Sequence, residues 1–172
     1  MFPIDLGALR EGPIDMTQTV PVDDPVFDSL EFRLAQPVRL SGRLSETGPD
    51  SYFWHGEMRT TVLAACRRCL SPVEVSVVQP IEVLFTEDPE PDDPAAYSIP
   101  RRASELDPGE AVREELILAV PEYVLCRDDC KGLCPGCGTD LNKQSCECKP
   151  EVDSRWAALE ALKAARPEDE RA

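Results

Sequence analysis

The chain reads as an α+β protein: a curved antiparallel β-sheet covered by one helix, then a cysteine-rich lobe and a C-terminal helix. Three observations predict it. Between residues 38 and 85 long runs alternate apolar and polar side chains with the period of two that a half-buried strand requires. One helix signal, with its own start and stop, follows at 107–121. Six of the eight cysteines then fall within residues 126–148, too densely for a segment whose order comes from an apolar core.

Residues 1–25 give little pattern, although Pro-Ile-Asp occurs at Pro3 and again at Pro13. A β pattern begins over 26–34. Val38, Leu40, Gly42 and Leu44 then alternate with Arg39, Ser41, Arg43 and Ser45. Gly42 marks either a bulge or a thin spot in that strand. The segment 46–50, rich in Gly, Pro and Asp, is a turn. The aromatic and β-branched run 52–65 is the returning strand. It leads into Cys66-Arg67-Arg68-Cys69, and Val73, Val75 and Val77 resume the strand pattern beyond Ser71-Pro72. Ile81, Val83 and Phe85 continue it past Pro80, which predicts an edge or a bulge there. The first C-x-x-C therefore sits at a hairpin tip.

Between 86 and 102 the acids Glu87, Asp88, Glu90, Asp92 and Asp93 interleave with prolines, a composition that packs no core. It reads as a mobile, solvated loop, or alternatively as a docking strip for a basic partner. Asp107-Pro108-Gly109-Glu110 is a helix start, with Asp107 as cap and Pro108 at the first turn. Val112, Leu116, Ala119 and Val120 recur at helical spacing until Pro121. After the last cysteine, Asp153 is a cap, and Trp156, Leu159 and Leu162 share a helical face. The domain reading is thus a β-rich domain with its covering helix over 1–121, a cysteine lobe over 122–150, and a helix with a charged tail over 151–172.

Cys66, Cys69, Cys126, Cys130, Cys134, Cys137, Cys146 and Cys148 are the candidate metal ligands. Thiolates close in sequence converge on one cation only where the backbone turns sharply, and Cys134-Pro135-Gly136-Cys137-Gly138 has the residues for such a turn. Four soft thiolates in a tetrahedron select zinc, less often iron. Disulfides are the weaker reading, because nothing marks secretion. The preferred partition places Cys134, Cys137, Cys146 and Cys148 on one ion. Cys66 and Cys69 then join Cys126 and Cys130 on another. The rival partition is a local site of Cys126, Cys130, Cys134 and Cys137.

The formal charge is −15, from 18 Lys and Arg against 33 Asp and Glu. A zinc ion with four thiolates carries −2, so two such sites lower the total to about −19. Such a chain repels phosphate at long range, so any nucleic-acid contact is local, or the partner is a protein. Arg67 and Arg68 have two readings: compensation of the thiolate charge, with Lys131 and Lys143 serving the other cluster, or a small positive tip that touches RNA phosphate. His55 is the single histidine and lies in a strand. No nucleophile elbow, Walker loop or G-x-G-x-x-G is present. The enzyme alternative is a C-x-x-C thiol oxidoreductase, which asks for an exposed, low-pKa cysteine at a helix N-terminus. Residues 1–10 lack the basic and apolar regions of a signal peptide, and no apolar run reaches membrane-spanning length, so the expectation is a cytoplasmic protein.

Five stretches together resemble the YceD family of bacterial and plastid proteins, associated with accumulation of large-subunit (23S) ribosomal RNA. They are Cys66-Arg67-Arg68-Cys69-Leu70; Glu114-Glu115-Leu116-Ile117-Leu118-Ala119-Val120-Pro121; Cys130-Lys131-Gly132-Leu133-Cys134-Pro135-Gly136-Cys137-Gly138; Asp140-Leu141-Asn142; and Asp153-Ser154-Arg155-Trp156. The resemblance runs from about residue 63 to 162 in the family's order, and earlier residues fit only in their β pattern. It implies a non-catalytic factor in large ribosomal subunit assembly, with a ribosomal protein or precursor 23S rRNA as partner and no membrane or small-molecule substrate.

Overall fold

The computed structural model describes residues 3–87, 89, 96–148 and 155. The chain divides into two compact units, Met1–Cys126 and Arg127–Ala172. The expected C-terminal helix, with its cap at Asp153 and its face of Trp156, Leu159 and Leu162, lies outside the described residues.

In the first unit the short strand β1 (Ile4–Asp5) leads into a 3₁₀ turn (Leu6–Glu11) and then β2 (Ile14–Val20). Each Pro-Ile-Asp thus opens a strand. A second 3₁₀ turn (Pro25–Phe27) precedes β3 (Arg33–Leu34). The β pattern expected over 26–34 is mostly turn, for local reasons. The Asp24 carboxylate accepts from the Val26 N–H at 3.0 Å, Pro25 suits the first helical position, and Ser29 has φ +62°.

Three long strands follow: β4 (Val38–Gly48), β5 (Ser51–Ala65) and β6 (Pro72–Thr86). The sheet order is β2-β4-β5-β6-β7, with β3 continuing the line of β4 along β5. All its pairings are antiparallel except the last. β7 (Ala96–Ser98) runs parallel to β6, with Leu84 opposite Ala96 and Thr86 opposite Ser98. Within the loop expected over 86–102, residues 96–98 are therefore strand, while residues 88 and 90–95 lie outside the described residues. Three residues are enough to pair, and Tyr97 packs on Phe85 with ring centroids 5.8 Å apart. A separate two-stranded sheet joins β1 to β8 (Glu105–Leu106).

Alternation sets the faces. Val38, Leu40, Leu44, Trp54, Met58, Val62, Val77, Ile81, Val83 and Phe85 point into the core. The inward parity of β6 survives Pro80, which is exposed opposite Glu57. No bulge forms there, because β7 pairs only with residues 84–86 and Pro80 has no ladder to interrupt on that side. Nor does Gly42 mark a bulge: the only register shift between β4 and β5 lies between Glu46 and Gly48. Gly42 is directly opposite Gly56, and the buried Trp54 indole lies against both. A Cβ on Gly42 would sit 2.6 Å from the Gly56 Cα, and one on Gly56 would sit 2.2 Å from the Ser41 carbonyl oxygen. The two strands pass too closely here for any side chain.

Helix α1 (Gly109–Ala119) buries Ala111, Val112 and Leu116 in the same core. The Asp107 carboxylate accepts from the Gly109 N–H at 3.0 Å, but Pro108 rather than the expected Asp107 occupies the N-cap position, without a side-chain cap bond, and Val120 is already extended before Pro121. Side chains fasten the helix to its surroundings. Arg113 Nη1 donates to the Val26 and Asp28 carbonyls, each at 2.7 Å, and Gln79 Nε2 donates to Glu115 at 3.2 Å. The second unit has little regular structure. Among its described residues its only β pairing is the isolated bridge between Leu133 and Asp140. No helix of the described residues is long and apolar enough to cross a membrane.

Candidate metal centres

β5 ends at Ala65, and the chain reverses through Cys66–Ser71 before β6. Two backbone hydrogen bonds shape the reversal: Leu70 N–H to the Cys66 carbonyl at 2.9 Å, and Cys66 N–H to the Ser71 carbonyl at 2.8 Å. Leu70 takes φ +61°, a left-handed conformation that leucine rarely adopts. The same device recurs in the second unit. Gly138 N–H donates to the Cys134 carbonyl at 2.8 Å, Cys134 N–H donates to the Thr139 carbonyl at 2.8 Å, and Gly138 has φ +73°. Each turn is therefore C-x-x-C, one left-handed residue, then a hydroxyl. The signal C-x-x-C-x-(Ser/Thr) is present in the sequence, but reading it needs Leu70 to be accepted where glycine is expected.

The hydroxyls contribute to the sites. Cys69 Sγ and Ser71 Oγ lie 3.3 Å apart, as Cys137 Sγ and Thr139 Oγ1 do at 3.2 Å. Ser71 first, through its hydroxyl, holds the Cys69 thiol below its ordinary pKa, and Thr139 does the same for Cys137, down to about 6. At Cys66 burial pushes the pKa up, but backbone N–H groups of Cys69, Cys126 and Arg68 outweigh it and lower the value to about 6. Amides aimed at sulfur stabilise the thiolate that a metal requires.

The first knuckle also gathers the chain beyond α1. Arg67 N–H donates to the Val124 carbonyl at 2.9 Å, and Arg67 Nε donates to the Glu122 carbonyl at 2.8 Å. Cys126 Sγ is brought to 3.6 Å from Cys69 Sγ. The sulfurs of Cys66, Cys69, Cys126 and Cys130 all lie within 4.8 Å of one another, and so do those of Cys134, Cys137, Cys146 and Cys148. Sulfurs bound to one zinc ion at about 2.3 Å are separated by about 3.8 Å along a tetrahedral edge. Both groups fit a metal ion of that kind. The two groups have the same members as the preferred partition.

In the second group the thiols divide their roles. Cys134 and Cys137 are lowered. Cys146 is raised by its hydrogen bond to Cys134, and Cys148 is raised to about 12, chiefly by bonding to Cys137. Gly136 leaves room for Cys148, whose Sγ would lie 3.5 Å from a Cβ there. Asn142 braces the lobe. Its amide nitrogen donates to Cys130 Sγ at 3.4 Å and to Asp140 at 2.8 Å, while its oxygen accepts from Lys131 N–H and Arg127 Nη2, each at 2.8 Å. Sequence reading did not assign this bracing role to Asn142, nor hydroxyl roles to Ser71 and Thr139.

Two of the four residues expected to offset the thiolates make contacts of their own. Lys143 Nζ lies 3.4 Å from Asp140, and Arg67 Nε is spent on a carbonyl. Backbone amides and the Ser71 and Thr139 hydroxyls lower the Cys66, Cys69, Cys134 and Cys137 thiols. His55 is exposed on the outer sheet face, 3.6 Å from Glu82. Cys66 and Cys69 are buried in a β-hairpin turn, without the exposure or helix terminus that thiol–disulfide exchange asks for.

A family model described as "Large ribosomal RNA subunit accumulation protein YceD" matches residues 54–163, more than half the chain and all eight cysteines. The chain is 29% identical over 177 residues to the maize chloroplastic "Large ribosomal RNA subunit accumulation protein YCED homolog 1", covering 85% of this chain and 55% of that protein. The Arabidopsis thaliana protein of the same name is 26% identical over 138 residues, 63% of this chain and 43% of that one. An uncharacterized Mycobacterium tuberculosis protein is 31% identical over 110 residues, 60% of this chain and 52% of that one. The chain thus spans about half the length of these relatives. No solved structure matches it.

Proposed function

The chain belongs to the YceD family, and from that premise we propose that it is a non-catalytic, zinc-binding factor in large ribosomal subunit assembly that sustains 23S rRNA accumulation. The observation that carries this reading is the family match over 54–163, which takes in both cysteine turns and the helix between them. The acting compartment is the cytoplasm. Cys66, Cys69, Cys126 and Cys130 hold one zinc ion, and Cys134, Cys137, Cys146 and Cys148 hold the other. When bound, the ions supply rigidity: two loops with little apolar burial of their own become fixed platforms.

The partner is a large-subunit ribosomal protein, precursor rRNA, or both where they meet in an assembling particle. Arg67 and Arg68 stand at the first platform and are the proposed RNA contact. Arg67 is supported in this role by its Nε bond to the Glu122 carbonyl, which orients the guanidinium while leaving its charge unneutralised. The net charge of −15 makes binding of naked RNA weak and favours contact inside a particle, where basic proteins offset the repulsion.

Deleting the gene tests the reading. The expected result is a fall in 23S relative to 16S rRNA, restored by the wild-type chain and not by a chain with Cys134 and Cys137 changed to Ser. Unchanged 23S rRNA after deletion rejects the assembly role. Arg67→Ala with Arg68→Ala, at unchanged zinc content, is expected to lower co-sedimentation with precursor large subunits.

A further inference from the structure

The outer face of the sheet carries four arginines outside the cysteine turns. On the strand residues pointing away from the core, β-pairing lines up three rows. Asp15, Arg43, His55 and Glu82 form one; Thr17, Ser41, Glu57 and Pro80 the next; Thr19, Arg39, Arg59 and Val78 the third. Further along the same face Arg33 stands opposite Leu63. In a chain with 18 basic and 33 acidic residues this surface balances four arginines, Arg33, Arg39, Arg43 and Arg59, with four acids, Asp15, Glu57, Glu74 and Glu82.

The centre of the face is a like-charge contact. Arg39 and Arg59 are direct cross-strand partners, a position that brings Cβ atoms to about 4.5–5.5 Å and is destabilising for like charges. Arg59 is held by Glu57, and Arg43 by Asp15 at 2.7 Å. Arg39 is exposed and has no hydrogen-bond or ion-pair partner among the described residues. An acidic chain has thus left Arg39 opposite Arg59, with one carboxylate, that of Glu57, paired to Arg59 alone. An anion seated across the pair removes that repulsion. Hydroxyls of Thr19, Thr17 and Ser41 flank it as further donors, beside an open depression of about 510 Å³ lined by Thr17, Ser41, Arg43, His55 and Glu57.

The spacing favours a polyanion over a single ion. Along β5 the basic positions recur every fourth residue: His55 beside Arg43, Arg59 beside Arg39, then Leu63 beside Arg33. Four strand residues span about 13 Å, so the stripe is about 26 Å long. Its next step along the chain is Arg67, in the first cysteine turn. We propose that this outer sheet face is a second contact for the phosphate backbone of RNA, running from the Arg43–His55 row through Arg39–Arg59 toward Arg67. The inference rests on the RNA-directed reading above and extends it from the turn to the sheet. The contact is to phosphate and independent of base sequence, because Phe53 is the only aromatic of strands β2–β6 on this face besides His55.

The test uses the full zinc-loaded chain and single-stranded poly-uridine RNA, with binding followed by fluorescence anisotropy over a salt series. Changing Arg39 and Arg59 together to Gln is expected to reduce the salt slope by about 1.4, since each phosphate contact on a single strand contributes about 0.7. Changing both to Lys is expected to retain most of the slope. Thermal stability supplies the control: relieving a like-charge pair leaves the midpoint unchanged or higher, whereas a folding defect lowers it together with RNA binding. An unchanged slope in the Gln variant overturns the inference, and if Arg67→Ala still weakens RNA binding the earlier reading stands without it. Wild-type protein that binds no poly-uridine at low salt overturns the sheet contact. Polyglutamate bound in place of RNA, through the same two arginines, also overturns it and assigns the face to an acidic protein.

Discussion

Replacing Gly56 by alanine puts a methyl group where the β4 and β5 backbones touch. Its carbon would lie 2.2 Å from the Ser41 carbonyl oxygen, 2.9 Å from the Gly42 Cα and 3.0 Å from Trp54 Nε1. Two of these three atoms are backbone, so no rotamer change relieves the contact. The strands must part by about 1 Å at the centre of the sheet. Overpacking of this kind costs about 1–3 kcal/mol, and weakening the adjoining ladder hydrogen bonds adds about 1 kcal/mol for each one lost. The expected destabilisation is about 3–5 kcal/mol, a large part of a typical domain's stability. Urea unfolding with zinc kept saturating, followed by circular dichroism, is the assay. With a slope near 2 kcal/mol/M the midpoint falls by roughly 2 M. Gly48→Ala is the control, since its nearest neighbour would be Ser51 Cβ at 4.0 Å; it is expected to be neutral or slightly stabilising. A Gly56→Ala protein within about 1 kcal/mol of wild type would refute the close approach of the two strands.

Elemental analysis of protein purified without chelator is expected to give two zinc ions per chain, one for each sulfur group; a value near one would reject the two-site version. Chelation is expected to strip hydrogen-exchange protection from the described residues of 127–148 while β4, β5 and β6 retain theirs, because those strands bury apolar side chains without metal. Equal loss across the strands contradicts that expectation. Arg113→Ala leaves the carbonyls of Val26 and Asp28 without their donor and is expected to cost about 1–3 kcal/mol, measured as a shift in thermal midpoint.

The long strands were legible because their side chains obey one rule over many residues. Val38 to Leu44 alternates without a break, and the inward parity of β6 passes through Pro80 untouched. Asp107-Pro108-Gly109 announced α1 because capping is local chemistry. The elements missed, β1, β2, β7 and β8, are short or polar; Thr17, Gln18 and Thr19 carry no alternation to read. Pairing of β7 parallel to β6 depends on a connection whose path sequence does not specify. Gly42 was visible, but its meaning was not, since that needs the register that sets Gly56 opposite it. The choice between two cysteine partitions likewise turned on Arg67 meeting the carbonyls of residues 122 and 124, a long-range contact with no local signature. Leu70 hid the likeness of the two turns, because a leucine gives no sign that its backbone is left-handed.

The pairing of Ile4 with Leu106 has a consequence for how the chain acquires its structure. It closes a loop of roughly a hundred residues, whereas β5 and β6 meet across a turn of six, and closure entropy grows with the logarithm of that separation. We hypothesise an order of assembly in which the β5–β6 hairpin forms early and the β1–β8 ribbon closes last. On a nascent chain β1 must then wait, unpaired, until Leu106 has emerged. A strand of two residues, one of them Asp5, invites little misassociation during that wait, which a strand as long as β5 in the same place would not ensure. Pulse-labelled hydrogen exchange during refolding, showing Ile4 protected as early as Met58, would contradict this order.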